Sequence, residues 1–387
     1  MIMIVQILLI ALIIFSAIFV LLYPISSTLY FTKIKRQRHP LDFYPSITIM
    51  IPVKGLDVQA LENFSSMYDQ NYPGKYDILY CVESDDDPCV SVIRKIICLY
   101  PKIESRLAFS GQDHEFIGKM HNLAACLPLV KNDIIVFIDS DARLVYPDSL
   151  KELAELLDVD GIGLVTCHQA CYDSQNISAA LIALLINSDL LGYFSFLAVA
   201  GKLNFANGAT MAVKRSILEK SGGLIPLRNR VLNDTAIARR ILALDKRIML
   251  ASFPAHIHMG ESTLIQWWNQ THRWHVGMKS FMSWPEYCAF GATRSGLFCA
   301  IISVTLFPGI IAGLYLISGV LLARTISLFL VNLLHVKDKS TWKYFPLIYI
   351  LDLLDIIFWI SPFISNRVSW RGRRYKIYRK GEAVLQK

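Results

Sequence analysis

The sequence predicts an α/β protein: a mostly parallel, Rossmann-like sheet held between N-terminal and C-terminal segments apolar enough to cross a membrane. Three observations predict it. Short continuous apolar runs alternate with amphipathic stretches over residues 46–255, the pattern of strands buried on both faces and joined by helices. Apolar blocks flank that region on both sides. Hydrophobic residues reach 54% and charged residues only 18% of 387, below the roughly 25% charge of ordinary soluble domains.

The N-terminal block, residues 1–31, holds Gln6 as its one polar side chain before Ser16. About 20 apolar residues cross ~30 Å of hydrocarbon, so this block is long enough to span. It has no Lys or Arg at its start, which favours an uncleaved anchor over a signal peptide. Lys33, Lys35, Arg36 and Arg38 follow at once. Basic residues beside a span mark the cytoplasmic side, which places the α/β region there. The C-terminal region 296–364 holds two further apolar blocks, 296–334 interrupted by Arg324 and Asn332, and 345–364 interrupted by Asp352 and Asp355. Whether 296–334 crosses once or twice is left open by the sequence. The segment near 177–200 is apolar but carries Asn187, Ser188 and Asp189 in its middle. A crossing there would split the acidic motifs across the bilayer, so it reads as a buried or interfacial helix.

The net charge of +8 is concentrated in the tail. Residues 365–387 carry eight Lys and Arg against one Glu, a net +7, and the rest of the chain about +1. Nucleic-acid proteins spread such charge over a folded face, so no nucleic-acid partner is expected. The eight cysteines form no C-x-x-C pair, which speaks against a zinc site or disulfide framework.

Within 45–290 the spacing predicts strands at 47–51, 76–82, 106–110 and 133–139, and helices at 56–68, 88–100 and 119–127. In open α/β sheets ligands bind beyond the carboxyl ends of the strands. The first strand ends in Pro52-Val53-Lys54-Gly55, the second in Glu83-Ser84-Asp85-Asp86-Asp87-Pro88, and the fourth in Asp139-Ser140-Asp141. Acids gathered at adjoining strand ends are costly unless a cation or ligand shares them. If Asp139-x-Asp141 is extended, both carboxylates face one side and reach one hard divalent ion, Mg²⁺ or Mn²⁺, that also takes substrate phosphates. The bland alternatives are a surface D-x-D and, for Asp85–Asp87 and Asp234, a helix N-cap. Residues 261–274 predict a helix rich in Trp, either packed or lying at a bilayer surface.

Taken together, Pro52-Val53-Lys54-Gly55, Asp85-Asp86-Asp87-Pro88, Lys119-x-x-Asn122, Asp139-x-Asp141, Asn233-Asp234 and Gln270-Thr271-His272-Arg273-Trp274 resemble the inverting glycosyltransferases of GT-A fold, in particular the ceramide glucosyltransferase family and its bacterial hopanoid-pathway relatives. The tail Val368-Ser369-Trp370-Arg371-Gly372-Arg373-Arg374-Tyr375 resembles the family's C-terminus. Asp141 is present where some ceramide enzymes lack the second acid of D-x-D. The resemblance implies transfer of one hexose, glucose or N-acetylglucosamine, from a UDP-sugar donor to a lipid acceptor in the membrane. It implies Asp234 as general base, with Gln270, Arg273 and Trp274 in the catalytic set. Pro52, Lys54, Glu83, Asp85, Asp86, Asp87, Lys119 and Asp139 would bind the donor, and Asp139 and Asp141 the metal. Asn207-Gly208 reads as a tight turn near the sugar. The setting would be a bacterial inner membrane, or a Golgi membrane in a eukaryote, with the catalytic part cytoplasmic. A processive polysaccharide synthase, which shares Q-x-x-R-W, and a non-catalytic scaffold binding nucleotide-sugar or lipid are the alternatives.

Overall fold

A computed structural model of the chain describes residues 2–112, 116–307 and 309–386; the first and last residues of the two terminal segments predicted above lie outside them. The chain divides into two compact units. One comprises Phe31–Ala170, Ala200–His258 and the last residues from Lys380; the other comprises the first helix to Tyr30, Cys171–Val199 and Met259–Arg379.

The Phe31–Ala170 unit is built on a seven-stranded sheet. Strands β1 (Ile47–Val53), β2 (Tyr76–Val82), β3 (Ser105–Phe109) and β4 (Ile134–Ile138) stand in the order β3-β2-β1-β4, all parallel. The sheet continues through Thr210–Lys214, which is antiparallel to β4, then Ile162–Thr166 and Arg247–Leu250. Every residue of β1 and β4 is buried, as continuous β-branched runs require when helices cover both faces. Pro52 is tolerated in this central strand because the β1–β4 ladder stops at the Met50–Phe137 pair. Beyond that pair a missing amide proton costs no bond on the β4 side.

The observed elements follow the predicted ones closely. Two differ for local reasons. The helix expected over 56–68 is only Ala60–Ser65, because Gln59 before it is left-handed at φ +54° and the chain after it tightens, Met67 and Tyr68 donating to carbonyls three residues back. The helix expected over 261–274 begins at Leu264, where Thr263 and Gln266 form a capping box, and runs on to Phe281.

The other unit is helical. Among the described residues four helices are long and apolar enough to cross a membrane: Ile2–Gln37, Ile177–Val199, Ile310–Val336 and Leu347–Ile364. The pair Trp284–Arg294 and Gly296–Leu306, bent by 69°, makes a fifth if taken as one span. The predicted block 296–334 is thus two helices, Gly296–Leu306 and Ile310–Val331. Helix Ile177–Val199 is 61% buried over its apolar window, against 22% to 33% for the others. Pro24 lies inside the first helix and frees the carbonyl four residues earlier. That carbonyl, on Val20, accepts the Ser327 hydroxyl at 2.7 Å, as an apolar surround demands.

The polar interruptions of these helices find one another. Helix Ile177–Val199 widens into a π-turn over Leu185–Leu190 that carries Asp189. Arg324 donates to Asp189 at 2.7 Å and to both oxygens of Asp352 at 3.0 and 3.1 Å. Arg294 donates to Asp355 at 2.7 Å and lies 3.4 Å from Asp189. His275 Nε2 stands 3.3 Å from Asp355. All six side chains are buried. Asn187, on the same π-turn, takes the amide and carbonyl of Cys171 at 2.7 and 2.8 Å.

Candidate active site

The carboxyl ends of the parallel strands bring together most of the predicted residues of the sheet-bearing unit. Just past β1, Gly55 turns with φ +71° and donates its amide to both oxygens of Asp87 at 3.0 Å. Asp87 also accepts the amide of Cys89, the first residue of helix Cys89–Leu99. It therefore ties the β1 turn to the start of that helix from the residue before Pro88, which holds the cap position itself. Lys54 pairs with Glu83 at 2.9 Å across the β1 and β2 ends. The other two acids of the cluster point elsewhere: Asp85 pairs with Arg94 at 2.6 Å, exposed, and Asp86 accepts the Ser84 hydroxyl. Asn122 locks the three strand ends, donating to the carbonyls of Val53 and Cys81 and accepting from Ser110.

The second cluster lies at the end of β4. Asp139 pairs with Lys119 at 2.5 Å. Asp139-Ser140-Asp141 is not extended: the Ala142 amide donates to the Asp139 carbonyl at 3.0 Å and closes a turn. The alternation argument made for the pair is therefore replaced by a bend that places both acids at the rim of β4. The Ser140 hydroxyl, between them, bonds Asp57 at 2.5 Å. Among the described residues no group of three or more His, Cys, Asp or Glu forms a metal cage.

Asp234 completes this cluster. It sits in the first turn of helix Asn233–Leu242, two residues inside the Leu232 cap position, where the helix dipole favours a negative charge. Its Oδ2 accepts the Gly208 amide at 2.9 Å and its Oδ1 the Thr235 amide at 2.7 Å. Burial raises its pKa, the Lys119 ammonium and the two amides pull it down, and Asp139 pushes it up; the net direction is upward. Gly208 lies against both charges. A Cβ there would stand 3.0 Å from Asp234 Oδ2 and 3.1 Å from Lys119 Nζ.

Thr166 is a site residue that pattern reading missed. It ends strand Ile162–Thr166, and its hydroxyl donates to the Asn207 carbonyl at 3.0 Å and accepts the Asn207 amide at 2.9 Å, fixing the Asn207-Gly208 turn. The strand-end rule applied to the fifth strand of the seven-stranded sheet, in sequence order, would have found it. Replacing Gly208 with Ala is expected to lower kcat/KM by about 10- to 100-fold, since small misplacements at a reacting centre carry such costs. Circular dichroism and thermal unfolding should match wild type.

Gln270, Arg273 and Trp274 lie on helix Leu264–Phe281 of the helical unit, each partly buried. Trp267 and Trp268 pack on Phe358 at 5.3 and 4.7 Å, so those tryptophans are anchors of the helix.

A mostly parallel sheet with one inserted antiparallel strand, and a Lys-Asp-Asp cluster at its carboxyl edge, define a glycosyltransferase of GT-A fold. The chain matches the sequence profile of Glycosyl transferase family 21 over residues 9–383. It belongs to that family. It is 22% identical over 381 residues to Ceramide glucosyltransferase 1 of Caenorhabditis elegans, across 92% of this chain and 77% of that protein. It is 32% identical to the ceramide glucosyltransferase of Candida albicans, over 26% of this chain and 20% of that longer protein. Among solved structures it is similar to the mannosyltransferase PcManGT of Pyrobaculum calidifontis in complex with GDP-Man and Mn²⁺, with TM-score 0.51 and 17% identity over 85% of this chain and 99% of that one. That likeness is one of fold. With its apolar helices the chain is a membrane protein.

Proposed function

We propose that this enzyme transfers a single hexose, glucose or N-acetylglucosamine, from a UDP-sugar to the hydroxyl of a ceramide- or hopanoid-type lipid, with inversion at the anomeric carbon. The observation that carries the reading is the Lys119-Asp139-Asp234 cluster around Gly208 at the carboxyl edge of the sheet. Ceramide glucosyltransferase relatives support the lipid acceptor.

Sugar transfer passes through an oxocarbenium-like state, as glycoside hydrolysis does. The acceptor hydroxyl must lose a proton as it attacks. Asp234 takes it; its raised pKa brings the carboxylate nearer the working pH, where a general base is most effective. The Gly208 and Thr235 amides hold the two carboxylate oxygens and fix the base in place. The leaving diphosphate gains charge, and Lys119 and Arg273 are the cations assigned to it. Lys54, Glu83 and the Asp85–Asp87 loop hold the nucleoside end.

The donor set suits a hard divalent cation. Two carboxylates at the β4 turn, without a third protein ligand nearby among the described residues, match Mg²⁺ or Mn²⁺, which keep waters and take substrate phosphates. Asp139 and Asp141 would hold the ion, which would neutralise the diphosphate. The α/β part faces the cytoplasm in this reading, since Lys33 to Arg38 follow the first apolar segment.

The test is incubation of purified enzyme with labelled UDP-glucose or UDP-N-acetylglucosamine and ceramide or hopanoid acceptor. A glycolipid bearing one sugar in the β configuration is expected. A long polymer, or no product with any acceptor, would overturn the reading.

A further inference from the structure

We propose that Trp370 is a positioning residue for Arg273: the C-terminal hairpin acts as a strap whose indole holds the plane of the guanidinium that meets the donor diphosphate. The proposal rests on the assignment of Arg273 made above.

The hairpin is well specified. Strands Arg367–Trp370 and Arg373–Ile377 pair antiparallel, with Val368 opposite Tyr375 and Trp370 opposite Arg373. The two-residue loop has φ +48° at Arg371 and +80° at Gly372, the two positive values of a type I′ turn, whose twist matches that of the strands. Val368, Tyr375 and Ile377 are buried at 2% to 4% exposure and anchor the hairpin. Trp370 therefore stands at a fixed place, the last residue before the turn.

Two contacts join the hairpin to helix Leu264–Phe281 at consecutive residues. The Arg273 Cζ lies 4.6 Å from the centre of the Trp370 ring. His272 has Nε2 at 3.2 Å from the Arg367 carbonyl and Nδ1 at 2.7 Å from the Ser361 hydroxyl. A carbonyl only accepts, so Nε2 carries the proton, and Nδ1 lies beside the Ser361 hydroxyl, which also reaches the Phe358 carbonyl at 2.9 Å. His272 thus ties the helix both to the hairpin and to the end of helix Leu347–Ile364.

The pairing has a chemical logic. The hairpin carries Arg367, Arg371, Arg373, Arg374 and Lys376, yet what it turns toward Arg273 is an indole. A ring on the face of a guanidinium attracts it without competing for the in-plane N–H donors that pair with phosphate oxygens. A carboxylate in that place would occupy those donors and cancel the charge. Stacking fixes orientation through the ring face, without drawing on the guanidinium's edge.

A double-mutant cycle on the full-length enzyme in detergent tests this, read as kcat/KM for the UDP-sugar and as UDP affinity by calorimetry. Trp370→Leu is expected to lower both by roughly 5- to 20-fold, with the acceptor KM unchanged and the melting temperature near wild type. Trp370→Phe, which keeps a ring, should recover to within about 3-fold of wild type. Trp370→Leu should add nothing once Arg273→Lys is present. If Trp370→Phe is as damaged as Trp370→Leu, or if the two losses simply multiply, the strap is overturned while the role of Arg273 stands. If Arg273→Lys keeps full activity and UDP affinity, the assignment of Arg273 fails and the strap with it.

Discussion

Asp234→Asn is expected to lower kcat by about 10²- to 10⁴-fold, the usual contribution of a positioned general base, with donor KM little changed. The amide is isosteric and its oxygen can still accept the Gly208 amide proton, so the turn should persist, while its NH2 group faces the Thr235 amide and gives up that bond. The pH dependence gives an independent reading. Burial, then the charge of Asp139, lift the pKa of this carboxyl against the pull of Lys119. Activity requires the ionised form, so it falls as pH drops through that raised value. The acidic limb of kcat/KM is expected above the ordinary aspartate range of about 3.9. Lys119→Met removes the main downward pull and should move the limb further up, measured with a donor concentration series at each pH. Stability responds with the opposite sign. A carboxyl whose pKa is raised on folding contributes stability that is present below its unfolded pKa and lost as pH rises through the folded value. At neutral pH Asp234→Asn therefore relieves a buried charge while losing the Thr235 amide bond, and its unfolding should stay close to wild type. A variant that retained turnover and the acidic limb would remove Asp234 from the mechanism.

The largest loss of stability is expected from Arg324→Leu. This guanidinium donates to Asp189 and to both oxygens of Asp352, and all three groups are buried. Removing one partner of a buried pair leaves an uncompensated charge and costs about 3–5 kcal/mol. Yield of folded protein and melting temperature in detergent should both fall sharply. Arg324→Leu combined with Asp352→Leu should recover part of the loss, because an apolar pair of similar volume replaces ions well. Recovery should stay incomplete, since the only cation Asp189 then keeps among the described residues is Arg294 at the longer 3.4 Å, beside the Ser188 hydroxyl at 3.2 Å. Equal stability of the single and double variants would show that Asp352 is not the partner that matters.

How far the sequence reached depends on the range of the interaction involved. β2 is read residue for residue at Tyr76–Val82, and β4 to within one residue, because continuous apolar runs are local signals. The start of helix Leu264–Phe281 is misplaced by three residues because the cap is Thr263, whose partner Gln266 is not the acid one first looks for. The bend at Asp139-Ser140-Asp141 depends on one backbone hydrogen bond and leaves no mark in composition. The meeting of Lys119, Asp139 and Asp234 was approached through resemblance and strand ends, whereas Thr166 escaped because the fifth strand was not considered. Asp189, Arg324, Asp352 and Asp355 looked like interruptions of apolar segments. Their pairing spans up to 135 residues and no periodicity announces it.

That pairing sets a constraint on biogenesis. Ribosomes deliver chains from the amino terminus, and Asp189 emerges 105 residues ahead of Arg294 and 135 ahead of Arg324. A lone aspartate buried among apolar helices is costly until a cation pairs with it. The Ile177–Val199 segment therefore gains its place only when later helices arrive to neutralise it. A nascent chain stalled before residue 294 exposes this acid to the insertion machinery and to membrane proteases, so the same arginines that stabilise the finished enzyme also certify that its synthesis was carried through the last helices.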